Sequence, residues 1–177
     1  MRYIIRSGES ETRERIGGKA AALAALHRSG VRIPDWFVLT PDAFEACLDR
    51  RENPAAAAAP PFDRTTNIAL KDEPLREVSE ALARLCPNGG PVAVRSSAIE
   101  EDGCQHSFAG QFESFLFVPP AKAPEAVAAV WRSAFSERLQ AYRRTRGLPP
   151  ADRAPAVLVQ RMVNASRSGV AFSADPI

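Results

Sequence analysis

The sequence predicts an α/β fold that closes one lobe and ends as a second begins. Three observations carry this. Short apolar runs at Val92–Val94 and Val157–Val159 read as buried strands, and Ala20–Leu26 and Val127–Tyr142 repeat apolar residues at helical spacing. A last strand pair over residues 157–173 asks for more sheet or a covering helix, yet the chain stops at Ile177.

Along the chain, Met1–Gly8 suits a short edge strand. A helix is expected over about Arg15–Ser29, with Gly30 as its stop. Gly17 and Gly18 sit in its first turns, where glycine costs helix stability, so the pair predicts a flexible junction or close approach by another group. Val31–Thr40 reads as a turn leading into a buried strand. Thr40-Pro41-Asp42 then caps a helix to about Leu48. Prolines 54, 60 and 61 bracket five alanines, which predicts an exposed connection near residues 53–62. A helix over Pro74–Leu85 follows.

The second half changes character. Val92–Val94 and Ser114–Val118 are strand candidates, separated by a polar loop of about twenty residues, a length that is uncommon without a function. Pro124 opens one long helix in which Trp131, Phe135 and Tyr142 face the core. Ala156–Val163 and Ser168–Ser173 then read as neighbouring strands joined by a turn. The expected division is a first lobe over residues 1–155 and the start of a second over 156–177.

Composition narrows the function classes. Lys and Arg number 23 against 21 Asp and Glu, and a net charge of +2 does not predict nucleic-acid binding. No apolar run reaches the roughly 20 residues a membrane span needs, and no leader pattern precedes Ser10. Three scattered cysteines fit reduced thiols, hence a cytoplasmic expectation, and two histidines without a close cysteine pair leave a zinc site little support.

The chemistry concentrates in Val94–Ser97 and Ser107–Gln111. Arg95, held at the end of a strand, can present several donors to phosphate oxygens, with Ser96 and Ser97 adding hydroxyl and amide donors. Ser107, Phe108, Ala109, Gly110 and Gln111 can fold over the same anion through backbone N–H groups. Lys19, at a helix start, supplies a second cation beside the helix's positive end. From chemistry alone Arg95 suits phosphate contact and an ion pair with Glu100, Glu101 or Asp102 equally well. No metal ligands are assigned.

Seven segments, in order, resemble the N-terminal nucleotide-binding domain of the phosphoenolpyruvate synthase and pyruvate phosphate dikinase family, which includes rifampicin phosphotransferases. They are IGGKAAALAAL at Ile16–Leu26, VRIPDWFVLTPDAF at Val31–Phe44, VAVRSSAIEED at Val92–Asp102 and SFAGQFESFLFV at Ser107–Val118. WRSAFSERLQAYR at Trp131–Arg143, VLVQRMV at Val157–Val163 and SGVAFSADP at Ser168–Pro176 complete the set. The resemblance implies an ATP-grasp fold with ATP held between two lobes. It implies phosphate contacts from Lys19 and Arg95, closure of the Ser107–Gln111 loop, and an adenine pocket lined by Gln160, Arg161, Met162 and Val163.

The resemblance also implies magnesium in the complete protein, a phosphohistidine domain and pyruvate or another acceptor. Neither His27 nor His106 occupies the place of that phosphohistidine. Ile99 and Glu100 depart from the family pattern, which has threonine and alanine there. Truncation before a second lobe predicts exposed apolar surface and self-association. An antibiotic phosphotransferase of similar construction and a noncatalytic nucleotide-sensing module are the alternatives.

Overall fold

Alternation of apolar side chains decides how the strands lie. In the computed structural model, which describes residues 2–48, 67–99, 112–151 and 153–170, strands β1 (Ile4–Arg6), β2 (Trp36–Leu39), β3 (Val92–Ser97), β4 (Ser114–Val118) and β5 (Ala156–Arg161) form one sheet in the order β1-β2-β5-β3-β4. All four neighbouring pairs are antiparallel. Helices α1 (Arg13–Arg28), α2 (Pro41–Cys47), α3 (Asp72–Leu85), α4 (Ala123–Ala134) and α5 (Glu137–Thr145) pack on its two faces, with a 3₁₀ turn at Pro120–Lys122 leading into α4.

Because successive strand residues face opposite ways, each strand feeds two cores. Ile4, Phe37, Leu39, Val92, Val94, Val157 and Val159 point to the rear, where they meet Phe44 of α2, Val78 of α3, Val127 and Trp131 of α4 and Leu139 of α5. Ile5, Trp36, Val38, Ala156 and Leu158 point forward to Ile16 and Ala20 of α1. Among the described residues, α2 to α5 cover the rear of the sheet and α1 covers part of the front. The expected core roles of Trp131 and Phe135 hold, and both rings lie 5.5 Å from that of Phe44.

Several elements differ from their sequence readings. The single helix expected after Pro124 is two, because Ser136 caps a new one by accepting the Leu139 N–H at 3.3 Å. Thr40 precedes α2 without capping it through its side chain. Residues 168–170 take no regular structure, so the strand expected over Ser168–Ser173 is absent from its described part. The residue 53–62 connection lies outside the described residues.

The largest difference concerns β5. Residues 156–161 were expected to open a second lobe, but β5 lies in the middle of this sheet, bonded to β2 on one side and β3 on the other. The sequence shows the strand but not its neighbours, since a buried run of Val-Leu-Val reads alike in either lobe. The sheet therefore has no seam at 155/156.

Candidate functional site

The front face is organised by a break in α1. Gly17 adopts φ 76° and ψ 176° inside the helix, a conformation essentially reserved for glycine. The backbone of β3 fits against this break. A Cβ on Gly17 would stand 1.5 Å from the Ser97 carbonyl oxygen and 2.7 Å from its Oγ. Gly17 is thus explained by close approach of the chain's own strand.

Ser97 joins the two elements chemically. Its buried hydroxyl donates to the Ile16 carbonyl at 2.7 Å and accepts the Ala20 N–H at 3.1 Å. The Gly18 N–H donates to the Ala98 carbonyl at 3.2 Å. Two amides at the start of the renewed helix are therefore already satisfied by the end of β3 and the residue after it. The helix end that was expected to face an anion is in large part turned into the strand instead.

This join fixes Lys19 one residue beyond it. Lys19 and Arg95 line a common cleft of about 580 Å³ on the front face, with Arg13, Gly18, Leu23, Leu158 and Gln160 among its walls. The Lys19 Nζ is shielded from solvent. Among the described residues three cations, Arg13, Lys19 and Arg95, line this cleft, and their local field favours an anion. Among the described residues Arg95 has no acidic partner; Glu100, Glu101 and Asp102, its alternative partners, lie outside them.

Gln160 enters the same cleft through register. It pairs with Ala93 of β3 and Trp36 of β2, and its Nε2 donates to the Pro34 carbonyl at 3.2 Å. Arg161 follows on the opposite parity, and its guanidinium lies 3.8 Å from the Asp35 carboxylate, away from the cleft walls. The Met162 N–H donates to the Pro91 carbonyl at 3.0 Å, and Val163 is largely exposed. Of Gln160–Val163, Gln160 is the member that lines the cleft.

Strand parity also separates the two serines. Ser96 pairs with Val157 and shares its rearward parity, whereas Ser97 pairs with Ala156 on the front. Ser96 thus does not line the cleft beside Arg95, and Ser97 is occupied in holding α1. Alternation along Val92–Ser97 carried that signal. Arg13 and Leu158 were not anticipated as cleft residues, and for Arg13 no local pattern gives it away. Ser107, Phe108, Ala109, Gly110 and Gln111 lie outside the described residues, as do Cys104 and His106. A second cavity of about 200 Å³ opens on the far side of the Gly17–Ser97 join, lined mainly by apolar groups such as Ile99, Phe112 and Leu139.

No helix among the described residues is long and apolar enough to cross a membrane. Residues 65–177 match the family described as pyruvate phosphate dikinase, AMP/ATP-binding domain. A rifampicin phosphotransferase of Streptomyces sviceus is 35% identical over 92% of this chain, and the prodigiosin synthesizing transferase of Serratia marcescens is 33% identical over 92%. A probable phosphoenolpyruvate synthase of Archaeoglobus fulgidus is 33% identical over 92% as well. The chain spans about a fifth of the length of these relatives, from 18% to 24%. Family match, relatives and a cationic cleft lead to one assignment: the chain belongs to the pyruvate phosphate dikinase AMP/ATP-binding domain family.

Proposed function

We propose that the chain is the ATP-binding portion of a phosphoenolpyruvate-synthase-like phosphotransferase with an ATP-grasp architecture. The observation that carries the reading is the meeting of Lys19, Arg95 and Arg13 in one front-face cleft. Lys19 supplies a point charge from beneath α1, and Arg95 supplies a planar fork from β3. Together they orient a polyphosphate and offset its charge, which is most of what phosphoryl transfer asks of a protein. Gln160 lines the cleft, and the base is proposed to lie at its end. The Ser107–Gln111 segment is proposed to close over the phosphates.

Among the described residues the cleft walls carry no carboxylate, so they do not by themselves fit a divalent cation. No step is assigned through magnesium. In the complete protein, phosphate would pass from ATP to a histidine on a separate domain and then to pyruvate. A rifampicin-phosphotransferase-like acceptor is the second reading, favoured by the 35% identity to the Streptomyces sviceus protein. The two readings share this cleft and differ in domains outside it. The first lobe is proposed to include β5, so a second lobe would begin after it.

Calorimetric titration with ATP tests the cleft. Lys19→Ala and Arg95→Ala should each weaken binding by about 1.5–3 kcal/mol, the range for a hydrogen bond to a charged group. Arg161→Ala, whose guanidinium faces Asp35, should leave affinity unchanged. Folded Lys19→Ala and Arg95→Ala variants that bind ATP as tightly as the parent would refute the assignment.

A further inference from the structure

Arg13 reaches the cleft by a route that an unbroken helix would not offer. From position 13 to position 19 an intact α-helix turns its side chains about 120° apart, so Arg13 and Lys19 would face different ways. The break at Gly17, φ 76° and ψ 176°, separates a first turn, which carries Arg13, from the helix that carries Lys19. Both line the cleft with Arg95 of β3. The three cations thus come from three separately fixed pieces of backbone: a turn, a helix and a strand.

Arg13 is also uncommitted. It is exposed, and it forms no ion pair among the described residues. The neighbouring Glu14 carboxyl is drawn below its usual value by its own backbone N–H and by the Thr12 hydroxyl, with Arg13 contributing least. Register gives the cleft a direction. Along β3 and β5 the rows run Ser97 with Ala156, Arg95 with Leu158 and Ala93 with Gln160. Gly17, where the Arg13 turn ends, packs on Ser97, whereas Gln160 lines the cleft at the other end. Arg95 stands between these rows, about 7 Å along the strands from each. A nucleotide with its base at the Gln160 end and its first phosphate on Arg95 and Lys19 therefore runs out toward Arg13.

We propose that Arg13 selects nucleotides by phosphate number, holding the outermost phosphate of ATP, which AMP lacks. The proposal rests on the reading of the cleft given above. Lys19 and Arg95 meet the phosphate nearest the ribose, which both nucleotides carry. The Arg13 guanidinium presents a planar fork of N–H donors to the oxygens of the terminal phosphate. Because its turn is set apart from the helix at Gly17, a change at Arg13 leaves Lys19 in place.

The full chain is titrated calorimetrically with ATP and, separately, with AMP. The titrations are run at about 0.15 M salt, where a Debye length of about 8 Å screens a mere long-range field. Arg13→Ala should bind ATP at least about tenfold more weakly, bind AMP as the parent does, and melt at the parent's temperature. Arg13→Lys, which keeps the charge but not the fork, should recover part of the ATP affinity. Lys19→Ala should weaken both nucleotides. Unchanged ATP affinity in Arg13→Ala overturns the assignment, as does an equal loss for ATP and AMP, which would make Arg13 a general source of field. If the folded parent binds neither nucleotide, the reading of the cleft fails and the assignment with it.

Discussion

Substituting Gly17 by alanine probes the join on which the cleft depends. The backbone there, φ 76° and ψ 176°, costs a residue other than glycine about 1–3 kcal/mol. The added Cβ would also lie 1.5 Å from the Ser97 carbonyl oxygen, a backbone atom that cannot rotate away. α1 must therefore move off β3, which strains the two Ser97 hydroxyl bonds to Ile16 and Ala20, each contributing about 1 kcal/mol net. Strain and lost bonds together give about 3–5 kcal/mol, a large part of the roughly 5–15 kcal/mol typical of a domain. Gly30→Ala is the control: its φ is 77°, yet nothing lies within 4 Å of its Cβ position, so it should cost about 1–2 kcal/mol. Urea denaturation of both variants measures the difference, and ATP titration of Gly17→Ala should show weakened binding as Lys19 shifts. If Gly17→Ala loses no more stability than Gly30→Ala, the close approach to Ser97 does not have the energetic weight given to it here.

Two further outcomes follow from the same structure. Ser97→Ala leaves the buried Ala20 N–H without its acceptor and the Ile16 carbonyl without that donor. It should lose about 1–3 kcal/mol by denaturation and speed amide exchange at Ala20. The Glu9 carboxyl is pushed up by burial, but the Arg6 N–H and the Arg2 guanidinium outweigh this and hold it below the usual 4.5. A carboxyl depressed in the folded state stabilises above its unfolded value, and that contribution is lost as pH falls through the lower folded value. Melting curves taken downward from about pH 6 should therefore show a shallower acid loss for Glu9→Gln than for the parent; parallel curves would contradict this assignment.

What was legible in the sequence was local. Trp36–Leu39, Ser114–Val118 and the helix preceding Cys86 are readable because their apolar spacing, prolines and glycines act within a few residues. Gly17-Gly18 signals a close approach, met at Gly17, and Lys19 and Arg95 line one cleft, since both signals are written in residue type. Partners across the sheet were not legible. Nothing in Val157-Leu158-Val159 says that β2 and β3 lie on either side of it, because pairing depends on the whole chain's register. The same blindness put Ser96 with Arg95, although alternation along β3 turns it to the rear. Ser136 looked like an ordinary helical residue until its hydroxyl was seen capping α5.

The central place of β5 bears on how the chain is made. β1 and β2 pair on one side, β3 and β4 on the other, and the strand that joins them comes last in chain order among the described strands. Until residue 161 leaves the ribosome, the inner edges of β2 and β3 have no mate in this sheet. Both are rich in valine or aromatic residues, the kind of edge that recruits another nascent chain. The pairing of β2 with β5 spans more than a hundred residues, so its closure comes late and slowly. The cationic cleft, whose walls include Leu158 and Gln160, is complete only when that strand is in place.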